Sequence, residues 1–186
     1  MRSLVVYESM YGNTHQIAEA IGRGLSESGP VVVVPIEEAV AERVATADLL
    51  VVGGPTHVHG MSRPSTRRAA IGDAERPESG LHLDPAAEGE GVREWLDGLP
   101  RLDLPVAAFD TRMPGPAALT GRAARGISRH LRRAGGEELL PPESFLVSKE
   151  NVLEDGELQR AIEWGAQVVR ELARRRPVAG QERAAQ

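Results

Sequence analysis

The stretch SLVVYESMYGNTHQIAEAI, residues 3–21, sets an apolar run against a polar loop and then a helical pattern. Ser3 to Ser9 opens with side chains that are apolar on both faces, as expected of a strand covered on both sides. After the loop, Ile17, Ile21 and Leu25 recur every four residues with Ala18 on the same face, which predicts a helix over 13–28. Asn13 and Thr14 are suitable starting residues and SGP at 28–30 is a stop. Between strand and helix lie Ser9, Met10, Tyr11, Gly12, Asn13 and Thr14, a loop of hydroxyls, an amide and a glycine around one methionine.

The same alternation continues along the chain. VVVVPI (31–36) predicts a second buried strand, ADLLVVGGPT (47–56) a third and LPVAAFDT (104–111) a fourth. Leu119, Ala123, Ile127 and Leu131 mark another helix, and GGEELLPPESFLV (135–147) holds a fifth strand interrupted or bulged at its prolines. Leu158, Ile162, Val169 and Leu172 mark a last helix. Strands alternating with helices predict an α/β fold, a doubly wound parallel sheet in three α/β/α layers with strand order 2-1-3-4-5. Residues 1–175 read as a single domain, with 176–186 as a fraying tail. The stretch from Pro55 to Gly91 is long for a connection: STRRAAI predicts one short helix, 72–91 has the composition of a mobile loop, and VREWLDGL (92–99) predicts another short helix.

Composition narrows the chemistry. The chain has 186 residues, 41% hydrophobic, with 5 His and no Cys, so disulfides, thiolate catalysis and iron–sulfur ligation are excluded. A net charge of −5 argues against a nucleic-acid partner. No run approaches the roughly 20 apolar residues that span a bilayer, and the N-terminus lacks a secretion-type apolar core. A soluble, cytoplasmic protein is the expectation, with no membrane partner. There is no G-x-S-x-G elbow, and Ser128 sits mid-helix. No catalytic side chain stands out.

In an open parallel sheet, ligands bind beyond the carboxyl ends of the strands, where the strand order reverses. Three loops meet there: 9–14, 55–61 and 110–118. Ser9 to Thr14 stand at a helix N-terminus, where unpaired N–H groups and the helix dipole favour an anion. No Lys or Arg lies in that loop, so a phosphomonoester fits better than a nucleoside triphosphate with its magnesium. Gly53 and Gly54 end the third strand, where glycine allows a flat ring close to the backbone. His57 and His59 are a poor metal pair by spacing, so no metal site is expected. The Arg run at 122, 125, 129, 132 and 133 reads as a solvated helix face.

S-x-x-G-N-T after a first strand resembles the phosphate loop of the flavodoxins, and SMYG resembles the corresponding loop of FMN-dependent NAD(P)H:quinone oxidoreductases. GGPTHVHGMS (53–62) is similar to the second flavin loop, and its P-T-x-x-x-x-M-S pattern leans towards the quinone reductases. The resemblance implies FMN as a non-covalent cofactor. Ser9 to Thr14 would hold its phosphate. Pro55, Thr56, His57, Val58, His59 and Gly60 would meet the flavin edge, with Gly60 as the glycine beside N5. Backbone groups of Asp110, Thr111 and Arg112 would bond the pyrimidine edge, although this loop lacks the usual stacking aromatic. An electron carrier serving a redox partner protein is the first expectation. An FMN-dependent NAD(P)H:quinone reductase is the second, and a protein-interaction domain without flavin the third. A partner subunit could complete the site, giving a homo-oligomer.

Overall fold

The computed structural model describes residues 1–175. The predicted tail 176–186 lies outside the described residues.

The sheet is built from β1 (Ser3–Tyr7), β2 (Val31–Pro35), β3 (Leu49–His57), β5 (Pro105–Arg112), β6 (Glu137–Glu138) and β7 (Glu143–Leu146). All of these pair in parallel, in the order β2-β1-β3-β5, with β6 and β7 both on the far side of β5. β4 (Gly60–Met61) folds back antiparallel onto the end of β3. The order is the predicted 2-1-3-4-5, with the fifth strand split in two. Pro141 and Pro142 lie between the pieces, where proline has no N–H for the ladder.

Alternation along the strands fills the two cores. Leu4, Val6, Leu50, Val52, Val106 and Ala108 face α4 (Val92–Asp97) and α6 (Ala123–Arg133), meeting Trp95, Leu96, Ile127 and Leu131. Val5, Tyr7, Leu49, Val51, Ala107 and Phe109 face α1 (Asn13–Leu25) and α7 (Glu157–Arg175), meeting Ile17, Ile21, Trp164 and Val168. Both tryptophans are packing residues.

Three predicted details are corrected. β2 is an edge strand, not a buried one: among the described residues it pairs with β1 alone, only its Val34 is buried, and Val32 is 43% exposed. Leu119 does not belong to the buried face of α6; it is 71% exposed in a separate short helix, α5 (Ala117–Thr120). Gly121, at φ 78°, ends α5, and its lack of a side chain admits the backbone of His59, against which it forms a bridge. Arg122 is not solvated with the other arginines, since its guanidinium donates to Ser144 Oγ (3.0 Å) and to the Pro142 carbonyl (2.6 Å).

The long connection begins with α3 (Pro64–Ala74), longer than the predicted STRRAAI helix, and then runs without regular structure to α4. Its middle is pinned to the first loop. Asp84 N–H donates to the Met10 carbonyl (2.8 Å), Asp84 Oδ2 lies 3.2 Å from His15 Nδ1, and Ala87 is buried with Met10 and Ala70.

Candidate functional site

At the carboxyl edge of the sheet, β1 runs through Glu8 and Ser9 into a turn closed by the Gly12 N–H donating to Ser9 Oγ (3.1 Å). Gly12 takes φ 87°, a left-handed conformation that costs glycine little, and stands as the N-cap of α1. No side chain among the described residues caps this helix. An uncapped N-terminus leaves N–H groups for an external acceptor and presents the positive end of the helix dipole.

The side chains of this loop are largely committed to their neighbours. Asn13 Nδ2 donates to the Asn151 carbonyl (3.0 Å) and to Asn151 Oδ1 (2.9 Å). Thr14 Oγ1 lies 2.7 Å from Thr111 Oγ1, and the Tyr11 hydroxyl donates to the Ala70 carbonyl (2.8 Å). Ser9, Met10 and Thr14 are buried. The donors left open to a ligand are therefore chiefly main-chain, with the side chains fixing the loop's shape.

A pocket of about 300 Å³ lies over this turn. Met10, Tyr11, Asn13 and Thr14 line it from the first loop, Pro55, Thr56 and His57 from the second, and Thr111, Arg112 and Met113 from the third. So the sequence reading brings residues of all three loops to one place. Six of its residues do not line this pocket. Ser9 and Gly12 shape the first turn, and Val58, His59 and Gly60 line a separate cavity on the far side of the second loop. Asp110 is fully buried beneath.

The second loop is a tight hairpin in which His57 pairs with Gly60 and Thr56 with Met61. Its left-handed positions are Val58 (φ 43°) and His59 (φ 75°), not Gly60. For a β-branched residue this is a strained conformation. Gly53 and Gly54 lie beneath the loop and serve the core: a methyl on Gly53 would overlap the Phe109 ring, and one on Gly54 would touch Val92. In the third loop, Arg112 Nη1 donates to Thr120 Oγ1 (2.8 Å), the Gly115 carbonyl (2.9 Å) and the Met113 carbonyl (3.1 Å). Its guanidinium knits the loop together. Asp110 Oδ2 accepts from Ala124 N–H (2.8 Å) and Thr56 Oγ1 (3.1 Å), holding the start of α6 under the second loop.

Comparison with known proteins bears on this geometry. Residues 5–82 match the flavodoxin family model. A flavodoxin structure from the domain Archaea is 22% identical, with a TM-score of 0.64 over 92% of this chain and 99% of that one. Oxidised Flavodoxin 1 from Bacillus cereus is 17% identical, with a TM-score of 0.63 over 91% of this chain and 98% of that one. The fold is flavodoxin-like. The Flv1 flavodiiron core from Synechocystis sp. PCC6803, 19% identical with a TM-score of 0.59, is covered over 36% of its length by 94% of this chain. No curated protein matches the sequence.

In this flavodoxin-like frame a fourth loop, unforeseen from the sequence, completes the pocket: Val147, Ser148, Lys149 and Asn151 line it between β7 and α7. Asn151 is left-handed at φ 59° and receives both bonds from Asn13. Lys149 is the chain's only lysine, exposed at the pocket rim and without an ion-pair partner among the described residues. A single Lys among arginines was a signal available in the sequence. Leu81, from the long connection, adds an apolar wall.

Three ionisable groups surround the site, the half-buried His57 and the buried Asp110 and Glu8. Burial lowers the His57 imidazole below its ordinary value, and the charge of Arg67 lowers it further. Burial raises the Asp110 carboxyl, opposed by the Ala124 N–H, the Ser144 and Thr56 hydroxyls and the charge of Arg122. Glu8 is likewise raised by burial, opposed by Ser62, the Val92 N–H and Arg67. Glu8 Oε2 accepts from Val92 N–H (2.8 Å), while Glu8 Oε1 and Asp110 Oδ1 have no hydrogen-bond partner among the described residues.

Proposed function

We propose that the 300 Å³ pocket binds FMN non-covalently and that the protein passes electrons through it to or from a redox partner protein. The observation carrying this reading is the uncapped N-terminus of α1, whose first residues, Asn13 and Thr14, line a pocket shared by four loops. The donor set fits a phosphomonoester. Main-chain N–H groups at a helix start, a glycine turn and one nearby lysine can hold a dianion without magnesium. The flavin would supply the redox chemistry. The chain's residues would place it, with His57 and Thr56 on one side of the ring and Thr111, Arg112 and Met113 on the other. Structural similarity to flavodoxins and to a flavodiiron core supports an electron-transfer role.

An FMN-dependent NAD(P)H:quinone reductase is the alternative, favoured by the second cavity that shares His57 with the first. A domain that binds partners without flavin is the third reading. No helix among the described residues is long and apolar enough to cross a membrane, and a cytoplasmic location belongs to the same proposal. Purified protein discriminates among the three. Flavin absorbance with no steady oxidation of NADH or NADPH in the presence of a quinone supports the carrier. Steady oxidation supports the reductase, and colourless protein indifferent to FMN supports the domain without flavin.

A further inference from the structure

Beyond the 57–60 turn lies a second cavity of about 490 Å³, within the range of small-molecule sites. His57, His59, Arg63, Ser65, Thr66 and Arg93 supply its polar lining, and no Asp or Glu among the described residues faces it, in a chain of net charge −5. The Arg93 guanidinium is held in place by donating to the Met61 carbonyl (3.0 Å) and the Ser62 carbonyl (3.2 Å). Those bonds orient the group, and no carboxylate among the described residues pairs with it. Glu94, its neighbour in sequence, is paired with Arg67 instead, at 3.1 Å. Arg63 is exposed and has no carboxylate partner among the described residues. Its backbone is fixed by Thr66 Oγ1, which accepts from Arg63 N–H (2.9 Å) and donates to the Arg63 carbonyl (3.0 Å).

We propose that this cavity binds the phosphate or pyrophosphate group of a small molecule. Two guanidiniums without carboxylate partners, with hydroxyls beside them, match the planar, bidentate recognition that phosphate oxygens favour. His57 lines both cavities, so a ligand held here sits one side chain away from the occupant of the first pocket. Anion binding in this cavity does not depend on what that occupant is.

The test is titration of the full-length protein with inorganic pyrophosphate and, separately, with ADP. The arginine Nε–H and histidine imidazole resonances are followed in the wild type, Arg63→Gln, Arg63→Glu and Asn13→Ala. Pyrophosphate is expected to shift the Arg63, Arg93, His57 and His59 signals. Affinity should fall about tenfold or more in Arg63→Glu, less in Arg63→Gln, and stay within about twofold in Asn13→Ala. Tighter binding of ADP than of pyrophosphate identifies a nucleotide, and the reverse identifies the free anion. Binding lost in Asn13→Ala but kept in both Arg63 variants would place the anion in the first pocket and overturn the proposal. So would an absence of shifts at about 10 mM of either probe.

Discussion

The side-chain amide of Asn13 donates to both the main-chain carbonyl and Oδ1 of Asn151, at 3.0 and 2.9 Å, across 138 residues of sequence. The first loop and the last loop of the sheet edge are thereby locked together, and the pocket is closed at the start of α1. Asn13→Ala removes both bonds and is expected to cost about 1–2 kcal/mol of stability and to weaken FMN binding. Asn151→Gly keeps the left-handed backbone and the carbonyl acceptor and is expected to cost less than Asn151→Ala. Denaturant melts and FMN titrations of the three variants check this, and equal losses for the two Asn151 variants contradict it.

The second loop stores strain in a side chain that buries little. Val58 is 79% exposed and sits at φ 43°. Val58→Gly is expected to stabilise the protein by about 1 kcal/mol, a rise in melting temperature of roughly 2–4 °C. A lower melting temperature would contradict the strain.

Glu8 gives the fold a pH dependence of unusual sign for a carboxylate. Its folded value lies above the ordinary 4.5 because burial outweighs the opposing Ser62 hydroxyl, Val92 N–H and Arg67 charge. The native state therefore holds the proton more tightly than the unfolded chain does. The stabilising contribution is present below 4.5 and is lost as pH rises through the folded value. Glu8→Gln keeps an acceptor for Val92 N–H and does not titrate. Wild type should lose stability relative to Glu8→Gln as pH is raised above 4.5, followed by denaturant unfolding along the rise. A pH-independent difference, or one of opposite sign, sinks the assignment.

Lys149 is expected to act on the phosphate alone. Lys149→Gln should weaken FMN by about 1 kcal/mol, roughly fivefold, in low salt and leave riboflavin affinity unchanged. Equal losses for both flavins would place the lysine elsewhere.

Much of this arrangement was legible in residues 3–21 and 47–56, because strands buried on both faces and a helix of period 3.6 leave plain marks. The site was legible only in part. Asn13 and Asn151 meet through closure of the whole sheet, and no local spacing records that. Leu119 is in phase with Ala123 and Ile127, yet left-handed Gly121 breaks the helix between them. The two-residue hairpin of the second loop places left-handed conformations on Val58 and His59, residue types that do not announce a turn. Arg112 and Asp110 are the residue types a ligand loop uses, and here both carboxylate and guanidinium serve to hold loops and α6 in place.

The most direct measurement is titration of cofactor-free protein with FMN and with riboflavin, followed by quenching of flavin fluorescence. The account predicts one FMN per chain with a Kd of about 1 µM or tighter, riboflavin at least tenfold weaker, and a marked loss of FMN affinity in Thr14→Val. No binding at about 1 mM FMN, or unchanged affinity in Thr14→Val and Asn13→Ala, would contradict it.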